Sequence, residues 1–290
     1  MKTTLQSLLA LLVAGCLLAA ADHAIGMAVA RGSFRADNSR VHGNTTLFEG
    51  TRLETTQASV ELRLQSGAQL GLAPESQAKV YRDRLVLERG RAEVRSAVTY
   101  RLEARGLRAA PAAARAWARI GLDEQNRVLV AAIRGPVEVR DPAGLLLANL
   151  EAGRTLMFDP QGQQPGAAAP VKITGLLQRK DGRYLVTDEV SQVTFEVTGA
   201  GLDRHVNSRV EISGAIDPAA KPVAPATQVV KVTKAIGLSG APPAGAGGWA
   251  ALAPAAKTAI IGGVLVGATV GVLAATDVIF KEEEKKPVSP

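Results

Sequence analysis

The fold of this chain is constrained most by a series of short segments in which apolar and polar residues alternate. In "SVELRLQSGAQLGLAP", residues 59–74, the apolar residues Val60, Leu62 and Leu64 are separated by charged ones. A period of two is that of a β-strand with one buried face. Glycines such as Gly67 close these segments as turn residues. The sequence therefore predicts an all-β protein.

An internal repeat indicates how the first half of the chain is organised. The pattern R-G-x-x-E-V-R occupies residues 89–95 and returns 45 residues later, at 134–140. This repeat predicts two related β-halves, as in a jelly roll or a short β-solenoid. Between the two copies, the alanines of 109–119 favour a helix, whereas Pro111 favours a loop. Both interpretations stay open for that stretch.

A second β-domain is predicted beyond a linker rich in Gly, Pro and Gln at 161–170. Residues 171–236 contain five short strand-like segments, a pattern that resembles a small OB-like barrel. Such barrels can bind single-stranded nucleic acid by stacking bases on aromatic side chains. In this segment Tyr184 and Phe195 are the aromatic residues, and we interpret both as core residues. No nucleic-acid partner is predicted.

A set of glycines and strand residues recurs through the first predicted domain: Gly50, Leu53 with Thr55, Gly67, Pro74 with Ser76, and Leu87 with Gly90 and Val94. In these residues the domain resembles the FecR-type periplasmic domain of bacterial envelope proteins. The stretch from "VLVAAIRGPVEVRD" to Gly153 resembles the second half of the same domain. Ser66 stands where the family often has aspartate. The resemblance covers about 120 residues and implies a periplasmic binding, sensing or protein-interaction domain. FecR-type transducers also carry a cytoplasmic anti-sigma segment and an N-terminal span, which this sequence does not match.

The N-terminus has the pattern of a secretory signal peptide. A lysine precedes an apolar run at residues 8–21, and Ala19 and Ala21 form an A-x-A cleavage site. We therefore expect cleavage near Ala21. One alternative is a lipobox that ends at Cys16, which would be acylated, and an uncleaved anchor is another.

The C-terminal apolar run predicts a transmembrane helix over 257–280. Residues 259–276 are 18 residues without a charge, close to the length that spans a bilayer. The alternative is a buried core helix of a soluble domain. Gly263, Gly267 and Gly271 recur every four residues and would form one helix face, where a second copy could pack closely. Self-association through this face is a further expectation.

Residues that could perform chemistry are scattered along the sequence. Cys16 is the one cysteine, and the three histidines (His23, His42 and His205) have no ligand-like spacing. Asp203, close to His205, is interpreted as part of a polar loop. The acid pairs at 123–124 and 188–189 are interpreted as solvated turn residues, with weak calcium binding as the alternative. The sequence therefore predicts no catalytic residues, no metal site and no cofactor.

These observations together predict a non-enzymatic protein of the bacterial inner membrane, single-pass, with periplasmic domains and a cytoplasmic C-terminus. Its expected partner is an envelope protein or glycan. The alternatives are a structural spacer that oligomerises through its anchor, and a glycan hydrolase. The net charge of +7 is interpreted as a mixed-charge surface. The expected segments are a signal peptide (1–21), a FecR-like domain (32–160), a linker (161–170), an OB-like domain (171–236), a second linker (237–256), a membrane helix (257–280) and a tail (281–290).

Overall fold

The structure is a computed structural model that describes residues 23–95, 100–159, 170–238, 258–261 and 264–268. These residues form β-strands and one short 3₁₀-helix, so the prediction of an all-β protein is confirmed. The first fifteen strands are β1 (Gly26–Ala36), β2 (Ser39–Leu47), β3 (Thr51–Glu54), β4 (Val60–Leu64), β5 (Gln69–Leu72), β6 (Gln77–Val80), β7 (Arg84–Arg89), β8 (Arg91–Arg95), β9 (Arg101–Ala104), β10 (Leu107–Pro111), β11 (Trp117–Leu122), β12 (Val128–Arg134), β13 (Val137–Arg140), β14 (Leu146–Leu150) and β15 (Thr155–Asp159). The remaining strands are β16 (Pro170–Lys180), β17 (Arg183–Asp188), β18 (Thr194–Thr198), β19 (Arg209–Ile216), β20 (Gln228–Gly237), β21 (Thr258–Ile261) and β22 (Val264–Ala268).

The first fifteen strands form two ladders that share β1. In sheet A the strands lie in the order β1, β4, β5, β8, β11, β12 and β15. In sheet B the order is β1, β3, β6, β7, β9, β10, β13 and β14. The first half of β1 pairs with β4, its end pairs with β3, and β2 pairs along its length. The chain crosses repeatedly between the sheets.

The core lies between the two ladders and follows the predicted alternation. Leu62 and Leu70 of sheet A are fully buried, as are Leu53 and Leu102 of sheet B, and all belong to one apolar cluster. The charged residues that alternate with them point outward. Residues 109–119 are not helical, because β10 ends at Pro111 and β11 begins at Trp117.

The second group of strands closes into a barrel. Its ring order is β16, β17, β18, β20, β19 and back to β16, with β18 and β20 parallel. Leu202, on the 3₁₀-helix Leu202–His205, is fully buried in the core cluster. A Cβ at Gly175 would lie 2.1 Å from the Thr187 carbonyl oxygen, so this position requires glycine. The prediction of a small five-stranded barrel is confirmed.

The start of the C-terminal apolar run forms a β-hairpin. β21 and β22 pair antiparallel, and β22 then adds to the edge of β15. The helix predicted over 257–280 is therefore wrong for these strand residues, including Gly267; Gly263 and Gly271 lie outside the described residues. Two physical reasons favour strands: the residues are rich in β-branched side chains, and the sequence between the strands is Gly-Gly, a common two-residue hairpin turn. In the described part of the chain, no helix is long and apolar enough to cross a membrane.

Sheets A and B pack on one core as a β-sandwich, and the hairpin and a set of hydrogen bonds join this sandwich to the barrel. β22 extends sheet A, while Ile260 of β21 pairs with Lys172 of β16. The backbone N–H of Asn149 donates to the Ser191 carbonyl at 2.7 Å, and the guanidinium of Arg154 donates to the Val190 carbonyl at 2.9 Å. The two units therefore contact each other through strand pairing and through the turn after β17.

The predicted leader lies outside the described residues, and with it Cys16 and the cleavage site near Ala21. The first strand begins at Gly26, six residues before the start expected for the FecR-like domain. A Cβ on Gly26 would lie 2.4 Å from the Arg63 carbonyl oxygen, so β1 and β4 approach closely there. The N-terminal strand is part of the sandwich.

Candidate functional site

The outward side chains of sheet A form a basic row across five strands. Strand register places the following residues directly opposite one another in turn: Arg63 on β4, Gln69 on β5, Arg95 on β8, Trp117 on β11 and Arg134 on β12. We call this set the arginine row. Because neighbouring strands lie about 4.8 Å apart, the row is about 19 Å long. It brings together residues that are separated by up to 71 positions in the sequence.

A buried carboxylate lies beside the centre of the arginine row. Glu93 is on β8 between Ala92 and Val94, which face the core, so its own side chain lies on the outer face. It is nonetheless fully buried, with an Oε1 to Arg119 Nη2 distance of 2.6 Å. Its other oxygen accepts a hydrogen bond from the Trp117 indole N–H at 3.1 Å. The ion pair therefore fixes the position of the tryptophan in the row.

Burial also sets the protonation behaviour of this carboxyl. Removal from water raises the pKa of Glu93, and the neighbouring Arg119 opposes the rise by favouring the ionised form. The Arg119 side chain is 4% exposed, so both charges of the pair are buried. A buried pair of this kind costs desolvation free energy, and removal of one partner leaves the other uncompensated.

Trp117 connects the buried pair to the half-buried Arg95 of the row. The Arg95 guanidinium carbon lies 4.1 Å from the centroid of the Trp117 ring, a cation–π contact. Arg134 and Gln69 are exposed, and the Arg63 side chain is 68% exposed. A register shift between Trp117 and Ala118 gives β12 an extra residue at this point. Bulges of this type re-aim side chains, and they are common beside functional sites.

The charge on this face is unbalanced. On the sheet A strands β4, β5, β8, β11 and β12, the outward residues include two glutamates, Glu61 and Glu93, and five arginines. The arginines are Arg63, Arg91, Arg95, Arg119 and Arg134. Glu61 pairs with Arg63 at 3.1 Å, and Glu93 pairs with Arg119. Arginines therefore outnumber glutamates by three on these strands, and this net positive charge would favour a partner that carries negative charge.

Sheet B has a different outer face. Its charges are mostly exposed and form alternating ion pairs at distances of 2.8 to 3.6 Å. The pairs are Arg52–Glu88, Lys79–Glu88, Arg84–Glu103, Arg108–Glu103 and Arg140–Glu138. Exposed pairs contribute little free energy each, and this network has the composition of an ordinary solvated surface.

Three of the residues noted for the FecR-type resemblance, Thr55, Ser76 and Gly90, meet at one structural junction. The Thr55 hydroxyl donates to the Ala73 carbonyl at 2.6 Å and accepts from the Ser76 N–H at 2.9 Å. The Ser76 hydroxyl in turn accepts from the Arg91 N–H at 2.9 Å. Gly90 packs against Ser76 so closely that a Cβ would lie 2.2 Å from the Ser76 hydroxyl oxygen. These contacts fix the backbone where the chain crosses from β7 to β8. The Thr55 and Ser76 hydroxyls are both used in these hydrogen bonds.

The acid pairs noted in the sequence have structural roles. Asp188 is fully buried, so the prediction that it is a solvated turn residue is wrong. Its carboxylate accepts hydrogen bonds from the backbone N–H groups of Thr174, Val190 and Ser191 at 2.7 to 3.1 Å. Burial raises the pKa of Asp188, and these donors oppose the rise. The neighbouring Glu189 pairs with Arg209 at 2.8 Å.

The remaining polar candidates also lack a catalytic arrangement. Asp123 accepts from the backbone and guanidinium of Arg127 in the turn between β11 and β12. Asp203 accepts from the Tyr184 hydroxyl and lies on the same 3₁₀-helix as His205. Within the described ranges, no group of three or more His, Cys, Asp or Glu side chains could hold a metal ion.

The barrel has no aromatic binding face among its described residues. Phe195 is fully buried, which confirms its assignment to the core, and Tyr184 packs against the core while its hydroxyl reaches the surface. Outward positions of β17 and β18 carry Arg183 and Glu196, which pair at 2.7 Å.

The arginine row was not identified from the sequence, because its members become neighbours only through strand pairing. A partial signal exists: Arg63, Glu93 and Arg95 occupy outward positions in alternating segments. The register that aligns them cannot be read from alternation alone.

Comparison with known proteins does not assign the chain to a family. No protein-family model matches it, and no curated protein matches it.

Proposed function

We propose that the chain is a non-enzymatic binding protein of the bacterial cell envelope, with a FecR-like domain whose outer sheet face recognises an acidic glycan. The observation that carries the proposal is the arginine row, which aligns three arginines with Gln69 and Trp117 across five strands. The junction formed by Thr55, Ser76 and Gly90 supports the FecR-like assignment, because three residues of the resemblance meet there.

The spacing of the row favours an extended polyanion over a compact anion. Arg63 and Arg134 lie at the two ends, four strand spacings apart, or about 19 Å. One phosphate or carboxylate group cannot bridge that distance, whereas a chain of acidic sugars presents carboxylates at intervals. Arginine suits such groups because its planar guanidinium binds a carboxylate with two parallel hydrogen bonds.

The same face favours recognition over hydrolysis. Glycoside hydrolysis needs two carboxyl groups that flank the scissile bond and can exchange protons. Here Glu61 is engaged by Arg63, and Glu93 is engaged by Arg119 and Trp117. Neither carboxylate is arranged to attack or to protonate a substrate, so we favour a binding role.

The barrel and the ends of the chain complete the proposal. The ring order of the barrel, with its parallel contact between β18 and β20, supports an OB-like assignment, and we assign it a spacer role. Export rests on the leader pattern of the N-terminal sequence. Alkaline phosphatase fused after Lys234 should therefore be active, and an inactive fusion would contradict the proposed export.

The binding proposal is tested with matched pairs of charge-neutralising variants. Arg63→Gln with Arg134→Gln removes the ends of the row, while Arg52→Gln with Arg101→Gln removes two exposed arginines from sheet B. Charged hydrogen bonds contribute about 1.5–3 kcal/mol, so the first pair should weaken binding to polygalacturonate at least tenfold. The second pair and uncharged dextran are the controls. If both variants lose the same affinity for polygalacturonate, the effect depends on net charge alone, and the proposed site is wrong.

A further inference from the structure

The strand β2 is an open edge of the sandwich. Within the described ranges, β2 pairs with β1 and with no other strand. The far ends of the two sheets differ from it: sheet A is extended by β22, and β14 of sheet B contacts the barrel, where the Gln228 side chain donates to the Leu146 carbonyl at 2.7 Å. The nine residues of β2 include neither proline nor lysine, two residues by which proteins protect exposed edges. β2 can therefore accept a further strand.

The backbone groups of β2 alternate between β1 and the open edge. The turn at residues 37–38 has positive φ at both positions, so the closing pair Ala36↔Ser39 exchanges backbone hydrogen bonds. At the other end of the strand, the Leu47 carbonyl accepts from the Ile25 N–H at 2.8 Å. Because successive strand residues point their N–H and C=O groups in opposite directions, every second residue between these ends points away from β1. Those residues are Arg40, His42, Asn44 and Thr46, and all four are exposed.

The charge beside this edge is basic and poorly compensated. Arg35 of β1 and Arg40 of β2 are directly opposite, a position in which like charges destabilise a strand pair. Their guanidinium groups donate to a backbone carbonyl at 3.1 Å and to a serine hydroxyl at 3.5 Å, and neither forms an ion pair in the part of the chain that the structure describes. The carboxylate of Asp37, in the turn between the two strands, accepts from the Arg52 backbone N–H instead. Acidic side chains on a partner would offset the repulsion between Arg35 and Arg40.

We propose that the open edge of β2 binds an extended, acidic polypeptide segment as an added β-strand. The outward N–H and C=O groups of residues 40–46 bond to the backbone of the segment, and its acidic side chains lie beside Arg35 and Arg40. A second copy of β2 would bring no acidic side chain to these arginines, because the strand contains none. The site is separate from the arginine row, so this inference does not depend on the proposed glycan binding.

Two synthetic peptides test strand addition on the full chain. The probe is a fluorescent eight-residue peptide in which valine and glutamate alternate. The control peptide has the same side chains with every backbone nitrogen methylated, so it keeps the negative charge and loses the N–H donors. We expect saturable binding of the probe by fluorescence anisotropy. The control should bind at least about tenfold more weakly, because each lost hydrogen bond reduces affinity roughly two- to tenfold.

Matched protein variants locate the binding on β2. Thr46→Pro removes one outward N–H at a position where an edge strand tolerates proline, and Thr46→Val keeps that N–H and the β-branched shape. The first should weaken binding of the probe about fivefold or more, and the second should not. Arg40→Gln should weaken it about two- to fivefold in low salt. Arg204→Gln, at an exposed arginine on the 3₁₀-helix of the barrel, is the charge control and should leave binding unchanged.

Backbone hydrogen exchange measured by NMR gives a residue-level test that needs no variant. Bound probe should slow exchange at every second residue, because only the outward N–H groups gain a partner. Val41 and Thr45, whose N–H groups point toward β1, are the internal controls and should change less. The residues expected to gain protection are Arg40, His42, Asn44 and Thr46.

Four results would overturn the proposal. The first is no binding of the probe, and the second is equal binding of the methylated control, since charge alone would then account for it. The third is protection that is absent from β2 or does not alternate along it. The fourth is a free protein that sediments as a dimer and becomes a monomer with Thr46→Pro, because a second copy would then occupy the edge.

Discussion

The two copies of R-G-x-x-E-V-R cross between the sheets in opposite directions, and their glutamates have different surroundings. In the first copy, residues 89–95, the chain passes from sheet B to sheet A, and Glu93 is fully buried against Arg119. In the second copy, residues 134–140, it passes from sheet A to sheet B, and the Glu138 side chain is 38% exposed. Glu138 pairs with Arg140 of its own strand at 2.8 Å.

The difference shows that the role of a motif is set by the strand that lies beside it. Sheet A places Trp117 and Arg119 beside the first glutamate, which produces a buried pair and a fixed tryptophan. Sheet B gives the second glutamate only an exposed partner. The glycines of the two copies have the same function, because both turn the chain at a crossing with positive φ: +83° at Gly90 and +68° at Gly135.

The largest difference between the copies is expected when the arginine partner is removed. Arg119→Met leaves the Glu93 carboxylate buried without its main partner, which should lower the free energy of unfolding by about 3–5 kcal/mol. Arg140→Met, the matched change in the second copy, breaks an exposed pair and should cost at most about 1 kcal/mol. Urea unfolding of both variants measures the two values. Equal costs would show that the two glutamates have equivalent surroundings.

The matched glycine variants, Gly90→Ala and Gly135→Ala, should differ in free energy of unfolding by less than the two arginine variants do. Gly90→Ala combines strain at positive φ with a contact of 2.2 Å to the Ser76 hydroxyl oxygen, and should cost about 2–5 kcal/mol. Gly135→Ala has the same strain but meets the Ala116 Cβ at 2.9 Å, and should cost about 1–3 kcal/mol. Thermal unfolding at fixed pH ranks the two variants. A larger loss at Gly135 would contradict the described packing at the crossings.

The pH dependence of stability should also distinguish Glu93 from Glu138. Because burial raises the pKa of Glu93, the folded state holds this proton more tightly than the unfolded chain does. The contribution of Glu93 to stability is therefore largest at acidic pH and falls as pH rises through the interval between the unfolded and folded pKa values. Glu93→Gln should remove this fall, so the stability of the wild type relative to the variant decreases from about pH 4 upward. Glu138→Gln is the control, and an identical pH profile for both variants would contradict the prediction.

The smallest effects are expected on the outer face of sheet B. Glu88 accepts from Arg52 and Lys79, and its side chain is 30% exposed. Glu88→Gln should change the free energy of unfolding by less than about 1 kcal/mol, and added salt should reduce the effect further. A loss of several kcal/mol, measured by urea unfolding in low salt, would mean that this network is not an ordinary solvated surface.

Features that depend on apolar–polar alternation and on turn residues could be predicted from the sequence. Alternation placed Val60 and Leu62 in the core, and turn chemistry placed a hairpin at Gly67. Five strand-like segments with turn residues were sufficient for the barrel. These features depend on neighbours within a few positions, where side-chain period and turn preference act directly.

Features that depend on pairing between distant strands could not be predicted. The arginine row needs the register of five strands, and burial of Asp188 needs the barrel to close over it. The C-terminal run predicts a helix, but an apolar sequence fits a buried hairpin as well as a helix, and periodicity alone does not separate the two. The Gly262-Gly263 pair, between two β-branched segments, was the available signal for the hairpin.

The emission of Trp117 tests most directly whether the outer face of sheet A binds a polyanion. The sequence has two tryptophans, so Trp249→Phe leaves Trp117 as the one reporter. We expect polygalacturonate to change its emission saturably, because the ligand neutralises the guanidinium groups around the ring. The same titration should need at least tenfold more polygalacturonate when Arg63→Gln and Arg134→Gln are present. Saturable binding by calorimetry with unchanged Trp117 emission, or no binding at all, would contradict the account.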